Sequence, residues 1–241
     1  MSLPPSPEVI SAAGLSALVY HDVVSSTMDV AHDLAQQGAA AGTAVLAARQ
    51  EQGRGRSGRA WQSEADAGLW LTLIERPDDL RALDVLSLRI GLALADALSP
   101  LVDGDIQVKW PNDLYVRQRK LSGILIEVRW RDGRPEWVTI GVGINRRVPT
   151  HFDQAAHVRS DVSRDALLLA VVPALRRAAA GRGPLRAEEC EAWAARDFAR
   201  GRAVTAPVAG HVEGISPAGA VLIRDAAGIL HAQHSGSLVF A

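Results

Sequence analysis

The sequence predicts an α+β fold that ends in a small β-barrel, and two observations carry this prediction. Up to about residue 200, strand-length apolar runs alternate with segments in which apolar residues recur at helical spacing. The clearest helix is predicted at 82–99, where Leu83, Leu86, Ile90 and Leu94 form one apolar stripe. From Gly201 onward the chain changes to about five short valine- and glycine-rich runs, which is typical of a small barrel. We therefore expect a flexible N-terminal arm at 1–17, a main domain at 18–200 and a barrel at 201–241.

The elements follow from local signals along the chain. Pro4, Pro5 and Pro7 oppose regular structure in the arm, and Ser25, Ser26 and Thr27 offer caps for a first helix that ends before Gly38. Further helices are predicted at 165–180 and 187–200, while 150–163 is polar and without a clear pattern. Strands are predicted at 18–24, 43–49, 69–75, 106–110, 113–117, 120–130 and 137–144, then at 203–207, 211–215, 220–224, 230–233 and 237–240.

Composition limits the class of protein. The 241 residues carry a formal net charge of -1, which argues against a broad nucleic-acid or membrane surface. The single cysteine, Cys190, excludes an intrachain disulfide and suits a reducing compartment. No apolar run approaches the roughly 20 residues of a membrane span, and the proline-rich start lacks the pattern of a signal peptide. We therefore expect a soluble cytoplasmic protein.

The segment from Gly53 to Arg59 holds three glycines and three arginines between two predicted strands. Glycine permits close backbone approach and arginine binds phosphate or carboxylate, so the segment predicts an anion-binding loop. Its glycines match a dinucleotide fingerprint, but a strand follows instead of the required helix. A P-loop fails as well, because Arg59 and Ala60 stand where lysine and serine or threonine are needed. A solvated surface loop remains open at this point.

A second cluster lies at 109–125. Arg117 and Arg119 are explained by protection of an edge strand, whereas Lys120 opens an otherwise apolar strand and is a candidate point-charge ligand for carboxylate or phosphate. The seven histidines form no metal-binding pattern, and Cys190 is expected to be a small buried residue.

Together these motifs resemble the biotin protein ligases, also called biotin–[acetyl-CoA-carboxylase] ligases. The resemblance rests on five elements in matching order and spacing: Ser26-Thr27, Gln50 with the run from Gly53 to Trp61, Lys109-Trp110-Pro111-Asn112-Asp113, the run from Lys120 to Leu125, and the run from Gly141 to Asn145. It implies a mixed-sheet catalytic domain related to class II aminoacyl-tRNA synthetases and an SH3-like C-terminal barrel. It also implies two half-reactions. Biotin and MgATP give biotinyl-5′-AMP, and a lysine of a biotin carboxyl carrier protein then receives the biotin.

The resemblance also implies roles for individual residues. Lys120, Arg54 and Arg56 would be catalytic, and Asp113 would hold Mg²⁺. The biotin-binding residues would be Ser26, Thr27, Met28, Gln50, Arg54, Gly55, Arg56, Lys120, Gly123, Gly141 and Gly143. The nucleotide-binding residues would be Arg54, Arg56, Arg59, Trp61, Asp113 and Asn145.

Two departures from the family pattern stand out. Met28 and Asp29 follow Ser-Thr where the family usually has asparagine and another polar residue, so Met28 is expected to pack over the ligand. Between 150 and 163, Phe152 is the one aromatic residue that offers itself for the adenine.

About 17 residues precede the first predicted strand, too few for the DNA-binding domain of the repressor type, so we expect a monofunctional ligase that binds no DNA and no membrane. The acetyl-CoA carboxylase carrier subunit is the expected partner, and a homodimer is possible for this family. The alternatives are a lipoate or octanoate ligase of related fold and a non-enzymatic phosphate- or nucleic-acid-binding module.

Overall fold

The computed structural model describes residues 3–150 and 155–241. These residues form an α+β fold with a seven-stranded sheet and a five-stranded sheet, which confirms the predicted fold class. The helices are α1 (Pro7–Ala12), α2 (Thr27–Gln36), α3 (Leu80–Leu83), α4 (Leu86–Leu98), α5 (Arg164–Ala179) and α6 (Ala187–Arg196). The strands of the large sheet are β1 (Ala17–Val24), β2 (Thr43–Gln50), β3 (Gly68–Glu75), β4 (Ile106–Lys109), β5 (Asp113–Val116), β6 (Arg119–Arg131) and β7 (Arg134–Asn145). The strands of the small sheet are β8 (Ala203–Ala206), β9 (Gly210–Ile215), β10 (Val221–Arg224), β11 (Leu230–Gln233) and β12 (Val239–Phe240).

The large sheet has the strand order β1-β2-β3-β7-β6-β5-β4 and is mixed, as expected. β1 and β2 run parallel, and the other neighbours are antiparallel. Alternate side chains of β3 and β7 pack with α4 and α5 in the main core, for example Leu71 and Ile140. The opposite face is covered in part by α2, through Ala31 and Ala35. The rest of that second face is left for polar and small side chains.

Three predicted elements differ from the structure. The arm was expected to lack regular structure, and this is wrong for α1: the Ser6 hydroxyl accepts a hydrogen bond from Val9 N, and Pro7 occupies the first turn, where its missing N–H is no loss. The predicted helix at 82–99 is divided at Val85, whose backbone (φ -111°, ψ 1°) is not helical. The helix predicted at 187–200 ends at Arg196, because Asp197 turns away and its carboxylate accepts a hydrogen bond from Ala199 N.

The five predicted C-terminal strands are all present, in the antiparallel order β11-β10-β9-β8-β12. Their buried side chains, among them Val212 and Ile223, belong to the same hydrophobic cluster as the large sheet. The Trp110 indole N–H, directly after β4, donates a hydrogen bond of 3.0 Å to the carbonyl of Gly219. The small sheet is therefore joined to the β4 side of the large one, and a domain boundary near residue 200 stays a prediction.

Within the described ranges, no helix combines the length and the apolar character needed to cross a membrane.

Candidate active site

A cavity of about 250 Å³ lies on the face of the large sheet that α2 covers in part. Its wall combines the first turn of α2, the loop after β2, strands β3, β6 and β7, and the end of the small sheet. Every predicted site residue except Asn145 lines it. These residues are Ser26, Thr27, Met28, Gln50, Arg54, Gly55, Arg56, Arg59, Trp61, Asp113, Lys120, Gly123, Gly141 and Gly143.

Strand register explains why residues far apart in sequence meet here. Asp113 on β5 pairs with Gly123 on β6, which in turn pairs with Gly143 on β7. Directly paired residues point to the same face of a sheet, so the three positions form a row across the cavity. The sequence motifs are thus assembled by antiparallel pairing of neighbouring strands.

One end of the cavity is a neutral network of buried hydroxyl and amide groups. The carboxamide oxygen of Gln50 accepts hydrogen bonds from the backbone N–H of Thr27 (2.8 Å) and from its hydroxyl (3.0 Å). The hydroxyls of Thr27 and Thr72 are 2.8 Å apart, and the Gln50 amide donates to the Ser63 hydroxyl. Ser26 caps α2 by accepting from Met28 N. Thr27 thus occupies the carboxamide oxygen of Gln50, and one N–H of the Gln50 carboxamide remains free to donate to a ligand.

Glycines form the floor because larger residues would not fit. A Cβ on Gly123 would lie 2.7 Å from the Trp61 indole, and one on Gly143 would overlap the same ring. A Cβ on Gly141 would lie 2.7 Å from the methyl group of Met28. Trp61 and Met28 therefore lie directly against the sheet backbone. The indole nitrogen of Trp61 is buried and has no hydrogen-bond partner among the described residues.

The other end of the cavity is rich in positive charge. Lys120 Nζ lies 2.7 Å from Asp113 Oδ1 and 5.0 Å from the centroid of the Trp61 ring. Burial lowers the pKa of Arg56; the charge of Asp113 opposes this, and the charge of Arg59 adds to it. Burial also lowers the pKa of Lys109. The charge of Asp113 opposes this decrease, and the charges of Lys120, Arg202 and Arg59 add to it. One carboxylate is thus surrounded by several cations, an arrangement that favours binding of a further anion.

Two predicted residues stand apart from the others. The Asn145 amide donates to the backbone carbonyls of Lys120 (3.2 Å) and Ala156 (3.1 Å), so it supports the strand that carries Lys120 and does not line the cavity. Phe152 lies outside the described residues.

Several lining residues were missed by the sequence analysis. Thr72 is a fully buried hydroxyl within an apolar strand, and that contrast is a usable sequence signal. Lys109 was read as part of a motif but not as a site residue. Ser237, Leu238 and Val239 reach the cavity from the small sheet, and their sequence gives no hint of it. Among the described residues, no group of three or more histidine, cysteine or acidic side chains forms a metal site.

Comparison with known proteins agrees with this geometry. Residues 20–145 match the profile of the Biotin/lipoate A/B protein ligase family, which covers more than half of the chain. The chain belongs to this family. A curated relative, the biotin–[acetyl-CoA-carboxylase] ligase of Paracoccus denitrificans, is 33% identical over 211 residues, covering 76% of this chain and 85% of the relative. The bifunctional ligase/repressor BirA of Bacillus subtilis is 38% identical over 152 residues.

Solved structures of family members extend the likeness to nearly the whole chain. The biotin protein ligase from Aquifex aeolicus in complex with biotin and ATP has a TM-score of 0.76 and 26% identity, covering 94% of this chain and 99% of that one. The biotin protein ligase from Leishmania major in complex with biotinyl-5-AMP has a TM-score of 0.62 and 26% identity, covering 90% and 98%. The bifunctional relative from Bacillus subtilis is longer. The match takes in 62% of this chain and 47% of that protein.

Proposed function

We propose that the chain is a biotin protein ligase, which activates biotin with ATP to biotinyl-5′-AMP and transfers biotin to a lysine of a carrier protein. The observation that carries the proposal is the division of one cavity into a neutral, buried hydrogen-bonding end and a cationic end. Biotin has the same division, with an uncharged ureido ring and a carboxylate tail. The names of the relatives, and the biotin or biotinyl-5-AMP bound in the similar structures, support the same substrate.

In this proposal the ring of biotin lies at the neutral end. Ser26, Thr27 and the remaining amide hydrogen of Gln50 supply donors and acceptors without charge, and Thr72 holds Thr27 in place. Met28 and the glycine floor give the apolar surface that such a pocket needs. An uncharged ring binds well here because no buried charge is left unpaired.

The cationic end serves the activation step. The biotin carboxylate must attack the α-phosphate of ATP, and the two anions repel each other. Lys120 and Arg56 offset the negative charge that develops as pyrophosphate leaves, and they hold the reactants in line. Trp61 and Arg59 are assigned to the nucleotide, because both line the cavity, where Trp61 lies against Lys120 and the charge of Arg59 acts on Arg56.

The cationic end of the cavity has a carboxylate that fits Mg²⁺. Asp113 is the carboxylate of the cavity wall, and Mg²⁺ commonly takes one or two carboxylates together with the phosphates of its substrate. Asp113 would hold the ion, which supplies charge neutralisation on the phosphates.

Transfer follows from the chemistry of the mixed anhydride. The amine of the carrier lysine attacks the acyl carbon, an amide bond forms, the bond from carbon to the phosphate oxygen breaks, and AMP leaves with the electron pair. The Gly53–Arg59 loop keeps water from the anhydride until then.

The carrier subunit of an acetyl-CoA carboxylase is the partner that the relatives' names support. The single cysteine supports a cytoplasmic setting.

The test is isotope exchange between ATP and pyrophosphate with biotin, with lipoate and with neither. We expect exchange that depends on biotin. Exchange driven by lipoate alone would assign the chain to the other branch of its family. No exchange under any of the three conditions would contradict an adenylating enzyme altogether.

A further inference from the structure

The first arginine of the loop is bound by carboxylates from two other elements. Arg54 Nη2 lies 2.7 Å from Asp29 Oδ1, in the first turn of α2, and 3.6 Å from Glu127 Oε2, on β6. Asp29 directly follows Met28 and so belongs to the turn that carries the proposed biotin-binding residues. Arg54 therefore differs from Arg56, on which the charges of Asp113 and Arg59 act. We call the contact of Arg54 with Asp29 and Glu127 the Arg54 clasp.

Glu127 is itself held in place by a hydrogen-bonded group. The Trp137 indole, which can only donate, lies 2.9 Å from His32 Nδ1. With Nδ1 accepting from Trp137, Nε2 is the ring nitrogen that can donate, and it lies 2.9 Å from Glu127 Oε2. The Thr139 hydroxyl bonds to the backbone carbonyl of Glu127. The clasp thus rests on an acceptor that the sheet and α2 have already oriented.

Holding Arg54 also holds the far side of the loop. Arg54 and Ala60 form an isolated antiparallel bridge, and Trp61 N donates to the carbonyl of Gly53 at 2.8 Å. Gly55 N donates to the carbonyl of Arg59 at 2.7 Å. A side chain that fixes Arg54 therefore fixes the backbone that carries Arg56, Arg59 and Trp61.

We propose that Asp29 is a positioning residue of the site, which anchors the Gly53–Arg59 loop to α2 through Arg54, with Glu127 as the second anchor. The proposal rests on the proposed function, since it assigns the loop's anchor to the helix on which biotin lies. Biotin contacts on α2 and closure of the loop become one coupled event, so loss of the clasp lets both biotin and the adenylate escape.

A purely structural role for Asp29 makes a different prediction. An acidic residue in the first turn of a helix stabilises that helix through the helix dipole. Loss of that effect in Asp29→Ala would lower thermal stability, and it would do so whether or not Arg54 is present. The clasp is half exposed and contributes little to global stability. The clasp predicts instead that the effects of replacing Asp29 and Arg54 are not additive and that trypsin cleaves the loop faster when either residue is replaced.

The experiment uses Asp29→Ala, the milder Asp29→Asn, Arg54→Ala and the double variant Asp29→Ala/Arg54→Ala in the full chain, with Asp33→Ala as the matched control. Asp33 lies one turn further along α2 and is exposed. The first readout needs no ligand: limited trypsin digestion, with cleavage after Arg56 and Arg59 followed by mass spectrometry. The second is the KM for biotin in ATP–pyrophosphate exchange, together with release of biotinyl-AMP.

We expect Asp29→Ala and Arg54→Ala each to speed loop cleavage several-fold and to raise the KM for biotin about tenfold, with the double variant no worse than either single one. Asp29→Asn should fall between wild type and Asp29→Ala, and Asp33→Ala should match wild type. The proposal would be overturned if the effects of the two single variants multiplied in the double variant. It would also be overturned if Asp29→Ala were cleaved at the wild-type rate. If Asp29→Ala is cleaved faster but the wild-type chain shows no biotin-dependent exchange, the loop anchor stands and the proposed function is refuted.

Discussion

Lys120 has three structural features that fit a role in the cavity. It lines the cavity, forms an ion pair with Asp113 and lies over the face of Trp61. Its position at the start of an apolar strand is visible in the sequence, whereas its contact with Asp113 depends on the pairing of β5 with β6 and its contact with Trp61 on the fold of the segment between β2 and β3. The backbone carbonyl of Lys120 is further held by Asn145, so the strand and the side chain are positioned together.

Replacement of Lys120 by alanine is expected to slow formation of the adenylate by about 10²–10³-fold, because one preorganised cation is lost from the transition state. Arg119→Ala is the matched control, since Arg119 is the exposed neighbour on the same strand. Single-turnover formation of biotinyl-AMP measures the rate, and circular dichroism checks the fold. A Lys120→Ala rate close to that of Arg119→Ala would refute the assigned role.

Arg56 is the loop arginine whose charge acts with Asp113, so its loss should weaken the hold on the adenylate. We predict that Arg56→Ala releases biotinyl-AMP and that unrelated lysines in a bystander protein become labelled. Arg49→Ala, at an exposed position near the end of β2, should label only the carrier. Equal bystander labelling by the two variants, measured by blotting with streptavidin, would argue against a retaining role for the loop.

At the scale of elements, β6 and β7 carry the site because their small residues let other side chains reach the backbone. Gly141 and Gly143 interrupt an apolar strand in the sequence, which predicts a close approach by another group, and Met28 and Trp61 do pack against these two positions. It did not identify Trp61 and Met28 as the side chains that approach, since these come from other elements. Thr72, by contrast, was open to prediction as a buried hydroxyl in an apolar strand.

Gly143→Ala tests this element directly. The added methyl group overlaps the Trp61 indole, so the ring must move, at a cost of about 1–3 kcal/mol. We expect a KM for ATP raised about tenfold and a changed tryptophan emission spectrum. In Gly91→Ala, on α4, the new methyl group meets nothing closer than 3.8 Å. That variant should keep its kinetics and gain up to about 1 kcal/mol of stability. Unchanged kinetics in Gly143→Ala would contradict the placement of Trp61.

For the whole molecule, the unexpected feature is that the small sheet reaches the cavity. Its strands were predicted from composition, but the contact of Leu238 with the cavity depends on how the two sheets dock. Docking is set by tertiary contacts such as that of Trp110 with Gly219, which leave no periodic signal in either segment. The fold could therefore be predicted in its elements and class, and not in this junction.

Trp110→Phe tests whether the two sheets are joined as one cooperative unit. The indole N–H is lost and the buried Gly219 carbonyl is left without a donor, which costs roughly 1–3 kcal/mol. We expect a lower urea midpoint with an unchanged m-value in a single transition. Trp130→Phe, at a half-exposed position on β6, should leave the midpoint as it is. Two separate transitions in the wild-type chain would show that the sheets unfold independently.

The most direct test of the account is to mix the purified chain with biotin and MgATP, without any carrier, and to measure the products of one turnover. The account predicts one biotinyl-5′-AMP retained per chain, with an equal amount of pyrophosphate released. Pyrophosphate release that does not depend on biotin, or no bound adenylate at all, would contradict the claim that this cavity joins the biotin carboxylate to the α-phosphate.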